Sequence, residues 1–271
     1  MQQISLKDLL EAGCHFGHQV KRWHPRAGAF IYAARDGIHI IDLARTRDGL
    51  EKAAQFAKNL GLEGKILLFV ATKRQAKGVV AEEARKTGIP YLTQRWIGGF
   101  ITNWDEVKKN LEKVRQMRSD RDSKAWLEFP KHEQVKLAKT LSKLEAFYGG
   151  VAEVKELPDA LFVVDIRKED AAVREAAIRG ITAIGIVDTN SDPARLDYPI
   201  PANDDAVGSI QYITRTIAEA YKEGKEEGVK RATEEQKTKP AAEKSQENDA
   251  KEPSSQKKTR KRTTSKKLKQ N

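Results

Sequence analysis

Two apolar runs, residues 157–165 and 184–188, flank a segment in which Val173, Ala176, Ala177 and Ile178 recur at three- and four-residue intervals. The flanking runs have strand length and no helical spacing, so strand, amphipathic helix and strand succeed one another within about thirty residues. That succession is a βαβ unit with parallel strands covered on both faces, and it commits the chain to the α/β class. Ligands of such sheets bind beyond the strand ends, here at the loops 165–168 and 188–190.

The pattern repeats upstream. Residues 65–71, Lys-Ile-Leu-Leu-Phe-Val-Ala, read as the strongest strand. A helix over 74–86 and a short strand at Tyr91-Leu92 complete a second βαβ unit, punctuated by Gly88 and Pro90. Tyr198-Pro-Ile-Pro201 supplies a fifth strand, which its two prolines confine to an edge. A last helix over 206–221 closes a doubly wound, five-stranded parallel sheet. Nearer the N-terminus, Ser5 and Asp8 open a short helix that Gly13 stops. Residues 14–28 show no period and read as an ordered loop. Arg35-Asp36-Gly37 turns a hairpin between 30–32 and 38–41. A helix over 42–60 then places Leu50, Ala53, Ala54, Ala57 and Leu60 on one face.

Residues 102–148 interrupt the sheet. Trp104, Val107, Leu111 and Val114 form one narrow seam; Leu137, Leu141, Leu144 and Tyr148 form another. Two such helices predict an antiparallel coiled-coil hairpin that protrudes from the domain, with Gly149-Gly150 marking the return. From Glu223 onward apolar residues give way to Lys, Glu, Gln, Thr, Ser and Pro, a composition that reads as disordered. The expected organisation is a discontinuous globular domain (1–101 and 149–222), a hairpin insertion (102–148) and a basic tail (223–271).

Charge narrows the function only after it is divided. The net charge is +11, but residues 257–271 hold eight Lys or Arg and no acid, which leaves +3 on the remainder. A nucleic-acid footprint on the folded part therefore has to come from local clusters. The single cysteine, Cys14, excludes an internal disulfide and fits a reducing compartment. No apolar run approaches the ~20 residues of a membrane span, and residues 1–8 lack a hydrophobic signal core. The expected location is the cytoplasm.

Four kinds of chemistry can be weighed. A dinucleotide cofactor needs a glycine-rich turn after the first strand, whereas this chain has Thr72-Lys73-Arg74-Gln75-Ala76-Lys77. Metal-dependent phosphoryl transfer could use Asp165 and Asp188 at strand ends, with Asp204 and Asp205 ahead of the last helix, but capping explains each of these acids and no nucleophile–acid pair stands out. The spacing of Cys14, His15, His18 and His24 matches none of the usual zinc patterns; of these, His24 is the one expected to approach Asp188. RNA binding has the broadest support. Lys21, Arg22, Arg26 and Arg35 interleave with Phe16, Trp23, His24 and Tyr32 in a stretch without acids; Lys73, Arg74 and Lys77 add a second patch, and Arg95 with Trp96 a third. Cations contact phosphate, and flat rings stack on unpaired bases.

Several longer motifs go further. Residues 9–19 with Trp23 and Pro25, then 64–74, 95–104, 157–165, 186–193 and 200–206, resemble in order the signatures of the bacterial small-subunit ribosomal protein S-two family, over about residues 1–222. Cys14 departs from the small apolar residue usual there, and Thr182 from the usual Pro. The resemblance implies a flavodoxin-like domain with a protruding helical hairpin. It implies a structural, non-catalytic place between head and body of the small subunit, bound to rRNA, beside other small-subunit proteins and helping to dock the initiation protein S-one. A single copy is expected, not a homo-oligomer, in the cytoplasm or a plastid. No cofactor is required; His24, Asp188, Asp204 and Asp205 are the candidate ligands of one structural divalent cation, Mg²⁺ or Zn²⁺. The competing reading is a Mg²⁺-dependent phosphohydrolase built on Asp165 and Asp188.

Overall fold

The structure, a computed structural model, describes residues 4–243. A short helix α1 (Leu6–Glu11) is capped by Ser5, whose hydroxyl accepts from the Lys7 N–H. Three short strands follow: β1 (Phe16–Gln19), β2 (Ile31–Arg35) and β3 (Ile38–Ile41). They pair in the antiparallel order β1-β3-β2. The β2–β3 hairpin turns at Asp36 and Gly37, both at positive φ, the geometry of a tight two-residue turn. The segment read as a loop thus contains a strand. Only four residues long and largely polar, β1 has too little alternation to declare itself; pairing with β3 creates it.

Helix α2 (Leu43–Leu62) leads into β4 (Leu67–Val70), α3 (Arg74–Thr87) and β5 (Tyr91–Leu92). Then come α4 (Trp104–Asp122), α5 (Lys131–Tyr148), β6 (Ala160–Val164), α6 (Asp170–Arg179), β7 (Thr182–Val187), β8 (Tyr198–Pro201) and α7 (Val207–Glu243). The second sheet is parallel throughout, in the order β5-β4-β6-β7-β8, as in a flavodoxin-like fold. The proline-rich β8 lies at one edge. Alternate residues of the strands serve two cores. Leu67, Phe69, Phe162, Ile184 and Ile200 face α2, α3 and α7; Leu68, Val70, Leu161, Val163 and Val187 face α6. Phe69 and Phe162 are register partners with ring centroids 5.0 Å apart. The crossover reverses direction between β4 and β6. Right-handed connections therefore place α3 and α6 on opposite faces and open a crevice at the strands' C-terminal ends.

The hairpin is rooted in this architecture. Val107, Leu111, Val114 and Tyr148, read as seam residues, belong to the same core as Leu68 and Val163. Arg118 bonds Glu145 at 2.9 Å across the two helices, and Arg115 donates to the Ala152 carbonyl at 2.7 Å. The far end carries exposed Leu127, Phe129 and Val135.

The last helix corrects the expected boundary. Instead of ending near Tyr221 and giving way to a disordered tail at Glu223, α7 continues through Glu243. A Cβ on Gly224 would collide with the Lys58 carbonyl oxygen, and one on Gly228 would lie 2.6 Å from that of Leu62. Lys58 also reaches Glu227 at 2.7 Å and Glu223 at 3.5 Å. Backbone packs on backbone here, so a scan for apolar side chains misses it. The chain divides into two units, up to Val229 and from Lys230 onward; the described part of the second is the last turns of α7. Residues 244–271, where the rest of the tail reading falls, lie outside the described residues.

Candidate nucleic-acid interface and carboxylate crevice

At the crevice, β4 runs out at Thr72 and Lys73. The Thr72 N–H and hydroxyl both donate to Glu169 Oε1, at 2.8 and 2.5 Å. Burial raises the Glu169 pKa, and these two donors oppose it. Lys73 turns inward, with Nζ 2.7 Å from Asp204, 2.6 Å from Asp205 and 3.3 Å from Asp165. Burial alone would lower its pKa, but the carboxylates hold it above the ordinary lysine value. Asp165 reaches this pair from a left-handed backbone (φ 67), a conformation that aspartate tolerates better than most residues.

The small sheet closes over the neighbouring strand ends. The His18 N–H donates to the Thr189 hydroxyl at 2.9 Å, and the His24 N–H to the Thr189 carbonyl at 2.7 Å. His18 Nδ1 stands 3.0 Å from Asp188, and its Nε2 3.5 Å from Asp205. The hydrogen bond to Asp188 raises the His18 pKa against the effect of burial. One ligand atom each from His18, Asp188 and Asp204 lie within 4.8 Å of one another. Asp204 is fully buried, and its Oδ2 has no hydrogen-bond partner among the described residues. Burial, with repulsion from Asp165 and Asp188, raises its pKa to about 7 despite Lys73.

Of the metal candidates named from sequence, Asp188, Asp204 and Asp205 are brought together. His24 is placed aside: its Nδ1 accepts from the Arg26 N–H at 3.3 Å, and His18 occupies the position beside the acids. Cys14 is buried, which pushes its thiol up to about 11, out of the range of a ready ligand.

The cations sort themselves by partner. Arg26 pairs with Asp192 at 2.7 Å, and Lys73 is enclosed by acids. Lys21 and Arg22 lie on a 3-10 turn whose Val20 N–H donates to Gly37, beside the exposed Arg35. Trp23 is 45% exposed. Arg74 and Arg95 are exposed, and Lys77 is half-buried. Trp96 points inward: its Nε1–H donates to Glu175 at 2.9 Å, so its ring is core and offers no stacking face. Glu175 is the residue the sequence reading missed. It also accepts from the N–H groups of Gly99, Ile101 and Thr102 and from the Thr102 hydroxyl. These donors hold its pKa below the ordinary glutamate value although burial pushes the other way.

Residues 9–224 match the protein family described as Ribosomal protein S2. The chain is also similar to the small ribosomal subunit protein uS2 of Coprothermobacter proteolyticus, 49% identical over 226 residues that cover 83% of this chain and 84% of that protein. The chain belongs to the ribosomal protein S2 family. Members of the S2 family are structural, non-enzymatic constituents of the small ribosomal subunit, associated with rRNA and other small-subunit proteins. This sets aside the phosphohydrolase reading, and the crevice agrees: Asp165 is engaged by Lys73, and Asp188 by Thr189 and His18. Among the described residues no helix is long and apolar enough to cross a membrane.

Proposed function

We propose that this S2-family chain anchors itself on small-subunit rRNA between head and body, as a single cytoplasmic copy, through the cations that no carboxylate neutralises. Among them are Lys21 and Arg22 on the 3-10 turn after β1, Arg35 on the small sheet, and Arg74, Lys77 and Arg95 beyond β4 and β5. One contrast carries the reading. Arg26 and Lys73 are held by internal acids, whereas these six have no carboxylate partner among the described residues and stand on elements at the C-terminal side of the sheet. The exposed Trp23 ring adds a face for an unpaired base. Docking of protein S-one finds support in the outward Leu6 and Leu10 of α1 and in Phe16, all exposed apolar side chains. Purified full-length chain should bind small-subunit rRNA with a log–log salt slope of about −3 to −4, the value for four phosphate contacts. Affinity indifferent to salt would defeat the proposal.

A divalent cation belongs to the same reading. His18, Asp188 and Asp204 would hold it, and the unpartnered buried Oδ2 of Asp204 fits a ligand atom. The imidazole in the set favours Zn²⁺ over Mg²⁺. Chelated protein titrated with Zn²⁺ should gain melting temperature, and His18→Ala should remove the gain. No gain in the wild type would rule the site out.

A further inference from the structure

Among the described residues, six glycines have open space where a Cβ would point: Gly37, Gly64, Gly78, Gly88, Gly98 and Gly180. Gly37, Gly64, Gly88 and Gly180 hold positive φ, which accounts for them. Gly78 and Gly98 have neither positive φ nor a close neighbour. Gly78 lies inside α3, where glycine weakens a helix relative to alanine. Gly98 is the first central residue of a turn closed by the Phe100 N–H on the Ile97 carbonyl at 2.9 Å, with Gly99 at φ 84. That is type II geometry, whose first central position accepts nearly any residue. Nothing inside the fold calls for either glycine.

Both lie among cations. Helix α3 leaves the end of β4, and the turn follows β5, its neighbour in the sheet. Lys77 Nζ, 3.4 Å from Gln94 Oε1, ties the helix to the loop. Arg74 precedes Gly78 by one helical turn and shares its face; Arg95 stands three residues before Gly98. Both arginines are exposed with no carboxylate partner among the described residues. The loop is held in advance by Glu175, through Trp96, Gly99, Ile101 and Thr102.

We propose that Arg74, Lys77, Gly78, Arg95 and Gly98 form a seat for an RNA sugar–phosphate strand at main-chain contact distance. The cations meet phosphate oxygens, and two bare Cα positions let the strand lie against the protein backbone. The inference rests on the rRNA reading above and deepens it by naming where the RNA comes closest.

The test uses full-length wild type, Gly78→Ala and Gly98→Ala, each titrated against naked small-subunit rRNA between about 50 and 200 mM salt and melted without RNA. Gly78→Ala should melt about 2 °C higher. It should nevertheless bind roughly tenfold more weakly, with a salt slope shallower by about one; Gly98→Ala should show the same loss of binding. A glycine of purely structural use would not move stability and binding in opposite directions. If the wild type binds and both variants bind equally well, the seat is wrong while the rRNA reading stands. If the wild type does not bind, both fall. A loss seen with intact subunits and absent with naked rRNA would assign this face to a protein neighbour and overturn the proposal.

Discussion

The crevice above β4, β6, β7 and β8 and the loop after β5 each bury a carboxylate, and they treat it in opposite ways. Around Glu175, five donors converge on two oxygens, so the ionised form is better solvated than burial alone allows. Around Asp204, the charges of Asp165 and Asp188 both repel its carboxylate, with Lys73 as the main counter-charge, and one oxygen has no partner among the described residues. Burial is common to both. What separates them is the number of donors set against the number of like charges. The first site is complete without a ligand and fixes a loop; the second is electrostatically unfinished and leaves room for a cation.

The largest effect should come from the completed site. Glu175→Gln replaces an acceptor by an amide that presents N–H to N–H, leaving buried donors unpaired, and should cost about 3 kcal/mol in urea unfolding at pH 7. The Trp96 indole N–H resonance should move upfield with it; an unchanged resonance would show that the bond does not form in solution. Asp204→Asn at neutral pH should cost far less, within about 1 kcal/mol of wild type, because lost repulsion offsets the lost Lys73 pair. Equal losses in the two variants would erase the contrast.

A smaller effect is a dependence on pH of opposite sign. The folded-state pKa of Asp204 is raised, so its contribution is present at low pH and is lost as pH rises toward about 7. His18, also raised, moves the same way from above 6.5. Glu175 is depressed, and its contribution is present above 4.5 and lost only as pH falls below that. Without divalent ions, stability should therefore fall as pH rises from 4.5 to about 7, and Asp204→Asn should flatten that slope while the Trp96 indole signal stays constant. A wild-type profile that rises with pH over this range would contradict the assignment.

Much of the fold was open to reading from the chain. The parallel strands, the edge position of β8 and the two helices of the hairpin follow from apolar spacing and from proline and glycine punctuation, which act over short distances. The site was legible in its acids and less so in its partners. Nothing within a few residues of Lys73 distinguishes it from Arg74, yet one is enclosed by Asp165, Asp204 and Asp205 and the other faces solvent. His18 took the place expected of His24 because β1 pairs with β3 and lays its backbone on Thr189, 171 residues away in sequence. Trp96 reads as a stacking ring in the sequence, but Glu175, 79 residues on, holds its indole N–H.

Local pattern, then, determined the class of fold, the strands and the broadly basic character of this S2-family protein, because periodicity and turn chemistry are carried by neighbours in the chain. Only the tertiary structure decided which charges remain available to a partner. A charge is cancelled by whatever lies a few ångströms from it, and in a parallel sheet with long crossovers those neighbours come from distant parts of the sequence.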